Sequence, residues 1–266
     1  MKQRYLSLLM AFCIFSCYAD ITEVNDMEEI FKHFNEADSK TLGIFDVDMV
    51  LVQPSNPAFQ WANMKRFSPI CKRVMKEIPA DRQMVFLSLM TTSSNPVLID
   101  PRTPEFLKEL RDIPLMGLTA NLTGKLKTIE NMEKWRVDGL RQLGIDFSKS
   151  APSKEPLVFD NLSSYRGHFS TYLDGILFVN GTTISKGEIF LSFLKKIEFY
   201  PDKIIFVDDR EDNLKSMESA LQTLDIPIEF IGLHFTGAQK FPSELISEEE
   251  FEAQWKALAS ETKRIN

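Results

Sequence analysis

Short apolar runs alternate with stretches of helical periodicity along most of this chain. The apolar runs predict buried strands, which lie at 41–45, 113–118, 172–179, 203–207 and 228–233. Apolar residues three and four positions apart predict helices, which lie at 24–37, 56–76, 104–110, 126–143, 187–196, 211–224 and, as a surface helix, 248–259. Because strands and helices alternate, we expect an α/β fold built on a doubly wound parallel sheet with helices on both faces.

One connection is longer than the others and predicts an insertion. The interval between Asp48 and Thr119 exceeds what one crossover helix requires, and its best helical pattern begins near residue 56. We therefore predict a small helical cap at 56–100, here called the predicted cap segment, and a core made of 20–55 and 101–266. The interval that follows Thr119 is the alternative place for a cap.

Aromatic residues repeat at helical spacing inside the predicted cap segment. Trp61 and Phe67 are two turns apart, and Arg66 lies beside them. A cap that closes over a site would turn these side chains toward a substrate. The same spacing is typical of a helix packed on a core, so both interpretations stay open.

The first nineteen residues have the three-part pattern of a secretory signal peptide. A basic start that ends at Arg4 is followed by an apolar run at 5–15 and by small residues up to Ala19. Removal of 1–19 predicts an exported protein, periplasmic or secreted, without a stable membrane span because the apolar run is short. The alternatives are lipid attachment at Cys17 and a buried or membrane-anchoring helix.

Composition and charge narrow the class of partner. The chain has 266 residues, 44% of them hydrophobic and 26% charged, which is typical of a globular protein. Its formal net charge of -7 argues against a general nucleic-acid-binding protein, because such affinity comes mostly from Lys and Arg on phosphates. An acidic protein can still bind a small phosphate ester locally. Signal removal would leave Cys71 alone, so we expect a fold without disulfides.

Two pairs of carboxylates follow two of the predicted strands. Asp46 and Asp48 come after the first strand, and Asp208 and Asp209 come after the fourth. Carboxylates beside buried strands cost free energy unless they are paired or bind a metal ion. Open α/β sheets bind their ligands at the carboxyl ends of strands, and Mg²⁺ prefers a few carboxylates together with waters and phosphate.

Two further side chains complete a set suited to phosphoryl transfer. The hydroxyl of Thr119 comes directly after the predicted strand at 113–118, and Lys186 precedes an amphipathic helix. Lys195 and Lys196 are the fallback lysines. A hydroxyl and an ammonium group can hold phosphoryl oxygens. One carboxylate can attack phosphorus while a second protonates the leaving oxygen and later activates water. The set therefore predicts a covalent aspartyl phosphate.

At these residues the sequence resembles the haloacid dehalogenase (HAD) superfamily of phosphatases. The resemblance lies in four segments that occur in the order of the superfamily's motifs: Asp46–Val50, Gly117–Thr119, Lys186, and Val207–Asp209 followed by Asn213. The runs at 119–121 and 177–181 look more narrowly like an exported, poorly characterised bacterial branch. The resemblance implies a Rossmann-like α/β core.

The resemblance also implies a role for each residue. Asp46 would be the nucleophile and Asp48 the general acid and base. The substrate phosphate would be held by Thr119, Ala120 and Lys186. The ligands of Mg²⁺ would be Asp46, Asp48, Asp208 and Asp209, together with the Val47 backbone carbonyl.

The sequence differs from the superfamily's usual motifs at one position, and at another it leaves open which of two residues is used. Asn121 stands where an arginine is common in the superfamily. Asp212 could replace Asp209 as the partner of Asp208, because another variant of the superfamily uses that spacing.

The predicted function is Mg²⁺-dependent hydrolysis of a small-molecule phosphomonoester. The alternatives are an exported HAD-fold binding or host-interaction factor with weak or no catalysis, and a phosphotransferase that uses the same intermediate. A response-regulator receiver is disfavoured, because its phosphorylated Asp lies between an early acidic pair and the Thr. Zinc hydrolysis is disfavoured because the histidines lack metal-ligand spacing; they are His33, His168 and His234.

Overall fold

The computed structural model describes residues 20–240 and 243–265. The predicted signal peptide at 1–19, with Cys17, lies outside the described residues. The strands are β1 (Asp20–Val24), β2 (Thr41–Phe45), β3 (Val52–Pro54), β4 (Pro96–Leu98), β5 (Leu115–Thr119), β6 (Leu157–Val158), β7 (Thr171–Leu173), β8 (Ile176–Phe178), β9 (Lys203–Asp208) and β10 (Glu229–Phe235). The helices are α1 (Met27–Lys32), α2 (Trp61–Arg66), α3 (Ser68–Lys76), α4 (Gln83–Thr92), α5 (Thr103–Glu109), α6 (Met132–Gln142), α7 (Lys186–Ile197), α8 (Glu211–Leu221) and α9 (Glu248–Thr262).

Eight of these strands form one sheet in the order β1-β10-β9-β2-β5-β8-β7-β6. The first six strands in this order, β1-β10-β9-β2-β5-β8, pair parallel with their neighbours. At the β8 edge, β7 pairs antiparallel with β8, and β6 pairs antiparallel with β7. Helices connect the parallel strands, as parallel pairing requires. The mostly parallel sheet confirms the predicted α/β fold. Strands β3 and β4 form a separate antiparallel pair.

The central strands send alternate side chains into two separate cores, because successive residues of a strand point to opposite faces. In β2, Leu42 and Ile44 pack with the buried sides of α7 and α8. Phe45 points the other way and stacks on Phe31 of α1, with ring centroids 6.3 Å apart. Helices therefore cover both faces of the sheet, as the unbroken apolar runs predict.

The predicted cap segment is helical and packs on α9. The Phe67 and Phe251 rings lie 4.8 Å apart, and the Trp255 indole donates Nε1–H to the Ala58 carbonyl at 2.9 Å. The helix expected at 248–259 is confirmed as α9: its surface face is exposed, and Phe251 and Trp255 on the opposite face are buried. A charged first turn precedes an apolar stripe at helical spacing in α9. The division of the chain into cap and core stays a prediction.

The stretch at 172–179, predicted as a single strand, is a hairpin. Strands β7 and β8 pair antiparallel, and Asp174 and Gly175 between them have φ of 50° and 85°. Two consecutive left-handed residues make the tight turn whose twist matches that of a hairpin. Asp-Gly is the sequence signal for that turn.

Two helices begin later than their periodicity predicts. Helix α1 is preceded by β1 and begins after Asp26, and α6 begins after Asn131 and not at residue 126. In both cases the capping side chain accepts a hydrogen bond from the backbone N–H three residues later. These caps satisfy donors that a helix leaves free at its start, so they fix the first helical residue.

The longest helix of the described residues is α9, with 15 residues. Within that described part, no helix combines the length and the apolar character needed to cross a membrane.

Candidate functional site

Asp46 and Asp208 lie side by side because β2 and β9 are neighbouring parallel strands. Phe45 pairs with Val207, and the Asp46 N–H donates to the Val207 carbonyl at 2.9 Å. The carboxyl ends of the two strands therefore bring both carboxylates to one edge of the sheet. Both side chains are buried.

Lys186 joins these two carboxylates. It is the first residue of α7, and Ser185 caps that helix. Its ammonium nitrogen lies 2.9 Å from Asp46 Oδ1 and 2.7 Å from Asp208 Oδ2. The lysine is itself buried, so the two ion pairs are shielded from solvent. The structure thus brings together three residues that are distant in the sequence.

The other oxygen of Asp208 is fixed by the start of α8. Asp208 Oδ1 accepts hydrogen bonds from the Arg210 N–H and from the Asn213 side-chain amide, each at 2.9 Å. Asn213 therefore orients the carboxylate.

Asp209 completes a group of three carboxylates. Asp46, Asp208 and Asp209 each offer an oxygen within 4.8 Å of the others, a spacing that can hold a metal ion. Asp212 is exposed in the first turn of α8 and lies outside this group. The geometry therefore favours Asp209 as the partner of Asp208.

Negative charge exceeds positive charge in this group. Three carboxylates face one ammonium group, which leaves a formal charge of -2 when all are ionised. Burial raises the pKa of Asp46 to about 7, against the opposing charge of Lys186 and with help from Asp208. Burial and the charges of Asp208 and Asp46 hold the pKa of Asp209 well above its usual range. A divalent cation would offset this charge, and carboxylate oxygens are the donors that Mg²⁺ prefers.

Asp48 does not join the three carboxylates. Its Oδ1 accepts from Arg136 Nη2 at 2.9 Å, and its Oδ2 accepts from Asn121 Nδ2 at 2.7 Å. Arg136 Nε also donates to Asn121 Oδ1 at 2.6 Å, which closes a ring of three side chains. Asp48 is also not among the carboxylates whose oxygens lie within 4.8 Å of one another, so its predicted role as a cation ligand finds no support in the geometry.

Arg136 is the site residue that sequence reasoning missed. It lies on the buried face of α6, between Met132 and Leu140 at spacings of four. A charged residue in the apolar stripe of a helix is the signal that could have identified it, because a buried cation needs a partner.

Thr119 and Ala120 lie where the resemblance predicts phosphate ligands. Both border the same cavity as Asp46 and Lys186. The Thr119 hydroxyl accepts from the Asn121 N–H at 3.2 Å, which leaves its own proton for a ligand. The Ala120 carbonyl accepts from the Gly181 N–H at 3.0 Å.

The Val47 carbonyl is already used within the backbone. It accepts from the N–H groups of Leu51 and Val52, each at 3.0 Å. A carbonyl oxygen has two lone pairs, and these two hydrogen bonds occupy them. The geometry therefore gives no support to the prediction that this carbonyl binds the cation.

The carboxylates open on a cavity of about 810 Å³. Asp46, Asp48, Asp209 and Lys186 border it on the side of the sheet. The predicted cap segment supplies many of the other lining residues, and the wall as a whole is mainly apolar. A ligand held by the charged groups would therefore extend toward apolar side chains.

Of the three residues proposed to face a substrate, namely Trp61, Arg66 and Phe67, only Trp61 borders the cavity. Its position is in line with the substrate-facing interpretation. Phe67 is buried against α9, and the Arg66 guanidinium lies over its ring at 5.0 Å. Phe67 therefore belongs to the core, as helical spacing usually indicates.

The fallback lysines lie in the last turn of α7, whereas Lys186 is in its first turn. The Lys196 ammonium donates to the Val158 carbonyl at 2.6 Å, and Lys195 is exposed. Lys186 is therefore the lysine that reaches the carboxylates.

Comparison with known proteins gives one family and several relatives. Residues 23–263 match a family described as "Protein of unknown function (DUF2608)". Similar sequences occur in Rickettsia: an uncharacterized protein of Rickettsia bellii is 26% identical, with 88% of this chain and 84% of that protein covered. An uncharacterized protein of Rickettsia felis is 27% identical over 88% of this chain and 83% of its own length. Another, from Rickettsia prowazekii, is 27% identical over 100% of this chain and 90% of its own length.

Proposed function

The chain belongs to the DUF2608 family, whose description assigns no activity, and we propose that it is a Mg²⁺-dependent phosphomonoester hydrolase of HAD type that acts through an aspartyl phosphate. One observation carries this proposal. Buried carboxylates from two adjacent strand ends meet a buried lysine beside a cavity, and Asp46, Asp208 and Lys186 form that centre.

The donor set supports a cation in this centre. Asp46, Asp208 and Asp209 would hold Mg²⁺, because their oxygens are close together and their charge is only partly offset by Lys186. A bound Mg²⁺ supplies positive charge that stabilises the phosphoryl oxygens.

In the first step a carboxylate oxygen of Asp46 attacks phosphorus. The new Asp46–phosphorus bond forms as the bond from phosphorus to the ester oxygen breaks. Asp48 must enter this step protonated, and it gives that proton to the ester oxygen, so the product leaves as a neutral alcohol and Asp48 returns to the carboxylate that pairs with Arg136. The Val47 N–H and Lys186 both donate to Asp46 Oδ1, at 2.7 and 2.9 Å, and so orient the nucleophile.

In the second step water cleaves the aspartyl phosphate. Asp48 takes a proton from water as its oxygen attacks phosphorus, and the bond to Asp46 breaks. Inorganic phosphate leaves, and both carboxyl groups return to their starting state. Arg136 and Asn121 hold Asp48 in one orientation for both proton transfers. Thr119 and Lys186, which border the same cavity as Asp46, would hold the phosphoryl oxygens.

Turnover of p-nitrophenyl phosphate with and without Mg²⁺ tests the proposal. We expect Asp46→Asn to lower kcat/KM by roughly a thousandfold or more, because the nucleophile is lost. Asp225→Asn makes the same change at an exposed residue outside the cavity and should match wild type. Mass spectrometry of acid-quenched wild type should find one phosphoryl group on the peptide that contains Asp46.

Three results would count against hydrolysis by this route. Full activity in Asp46→Asn would remove the nucleophile from the mechanism. No turnover of any phosphate ester would favour the binding or host-interaction alternative. Transfer of phosphate to an added alcohol at the expense of free phosphate would identify a phosphotransferase.

We also propose that the protein acts outside the cytoplasm. The support is the sequence pattern at 1–19 and nothing in the fold. Cell fractionation with and without 1–19 tests it, because retention of both forms in the cytoplasm would contradict export.

A further inference from the structure

We propose that the cavity beside the carboxylates selects phosphomonoesters with an extended apolar body, such as an alkyl chain, over sugar phosphates and nucleotides. The inference rests on the proposed phosphatase activity and adds its substrate class. It comes from the chemical division of one cavity into a charged side and an apolar side.

Most of the apolar side comes from one stretch of the chain, and Trp255 of α9 adds a further large side chain. Helices α2, α3 and α4 of the predicted cap segment supply its larger side chains, which are Trp61, Met64, Met75, Met84, Leu87 and Met90. These residues border the same cavity as Asp46 and Lys186. A phosphoryl group at the carboxylates would therefore place the rest of the ester beside this surface.

Several of these side chains are incompletely covered by the protein itself. Trp61, Met75 and Leu87 are half-buried while they border the cavity. Apolar surface that a ligand covers is removed from water, which favours binding of an apolar group. The methionines are unbranched and flexible, so they can adapt to a flexible chain.

A polar leaving group would match this wall poorly. A sugar or a nucleoside would bury hydroxyl or amide groups there, at a cost in free energy unless each found a hydrogen-bond partner. Most polar side chains of the cavity come from outside the predicted cap segment, which contributes the smaller set Lys65, Ser68, Lys72, Ser88 and Thr91. Lys65, which is on the wall, donates to Gln239 Oε1 at 2.6 Å.

The size of the cavity also favours an extended ligand. Its volume of about 810 Å³ lies within the range of roughly 300–1,000 Å³ that holds drug-sized ligands. A phosphoryl group fills only a small part of this space. The remainder can take an alkyl chain of several carbons.

A series of n-alkyl phosphates tests the inference. We would measure kcat/KM for ethyl, butyl, hexyl and octyl phosphate, with glucose 6-phosphate and AMP for comparison, below the concentrations at which micelles form. Burial of each added methylene should raise kcat/KM by about fourfold until the chain fills the cavity. Octyl phosphate should exceed glucose 6-phosphate and AMP.

Two matched variants test whether the gain in kcat/KM per methylene depends on the apolar side of the cavity. Leu87→Gln should reduce the gain per methylene, because it places an amide on the apolar side. Leu245→Gln makes the same change at a side chain that is 88% exposed and outside the cavity, so its gain should equal that of wild type. Met75→Gln is a second wall variant if Leu87→Gln does not fold.

Each outcome separates the two proposals. A rising series that flattens in the wall variants supports the inference. Equal kcat/KM along the series, or a preference for glucose 6-phosphate or AMP, overturns the inference and leaves the phosphatase proposal intact. No hydrolysis of any ester overturns both proposals. A gain per methylene that is unchanged in Leu87→Gln and Met75→Gln would also overturn this assignment of the wall.

Discussion

Arg136 and Asp48 form an ion pair whose two ends differ in exposure. The pair is 2.9 Å long, and the side chain of Arg136 is 2% exposed whereas that of Asp48 is 21% exposed. The cation is therefore enclosed by protein, while the carboxylate borders the cavity. A buried charge that loses its partner costs more than one that water can reach.

This difference predicts unequal effects of the two single substitutions on stability. Asp48→Ala should lower the free energy of unfolding by about 3 kcal/mol, because it leaves the Arg136 charge buried without its carboxylate. Arg136→Met should cost about 1 kcal/mol, because Asp48 keeps Asn121 and water as partners. Urea unfolding measures both. The double variant should be more stable than Asp48→Ala alone, and equal losses for both single variants would contradict this explanation.

The burial of Asp46 predicts a pH dependence in the metal-free protein. Its pKa is raised from 3.8 to about 7, so between these values the folded state binds more protons than the unfolded state. The contribution of Asp46 to stability is therefore lost as pH rises through this window, by up to about 1.4 kcal/mol per pH unit. Asp46→Asn lacks this titration and should gain stability relative to wild type from pH 4 to pH 7. Urea unfolding in EDTA measures the difference, which should not stay constant.

Gly187 is predicted to be essential to the packing of α7 on α8. A methyl group there would overlap the Ser216 carbonyl oxygen and Ala220 Cβ. Gly187→Ala should cost about 1–3 kcal/mol, since close-packed elements cannot take an added carbon without a shift. Gly139→Ala is the matched control, because its nearest neighbour would be Pro96 Cγ at 3.9 Å.

The control should even gain about 0.5–1 kcal/mol, because alanine is the better residue inside a helix. Thermal unfolding of both variants would show the contrast. Equal melting temperatures for Gly187→Ala and Gly139→Ala would mean that α7 can move away from α8 freely. A shift of α7 would also displace Lys186, so Gly187→Ala should lose phosphatase activity as well.

Cys71 is predicted to react slowly with thiol reagents. Burial raises the pKa of its thiol from 9.0 to about 11, which lowers the thiolate fraction at pH 8 by about a hundredfold. Mass spectrometry of the Cys71 peptide after iodoacetamide treatment measures the rate, with the urea-unfolded chain as reference. Octylphosphonate should slow the reaction further, because Cys71 borders the cavity. A native rate equal to the unfolded rate would contradict both points.

The sequence predicts the site best where backbone topology decides it. Asp46 and Asp208 could be placed together because carboxyl ends of parallel strands share one edge of the sheet. Lys186 could be included because it begins the helix between β8 and β9. Arg136 could not, since its link to Asp48 depends on the rotation of α6 about its own axis.

The fold shows the same limit where side-chain packing or turn chemistry decides. The hairpin at Asp174 and Gly175 replaces one continuous strand because two left-handed residues fit an Asp-Gly pair. Helix α9 begins with an acidic turn and continues with an apolar stripe that includes Phe251 and Trp255. Which element that stripe contacts, namely the predicted cap segment, is a long-range fact that local periodicity does not contain.

The bond between Trp255 and Ala58 joins chain positions 197 residues apart. During synthesis, every carboxylate of the centre emerges from the ribosome before Trp255 does. The strand ends that carry these carboxylates can therefore assemble before the helices beside them have this hydrogen bond to α9. The cavity wall can therefore close only after Trp255 has been synthesised. A chain truncated before Trp255 would have all the acidic residues but an incomplete cavity wall.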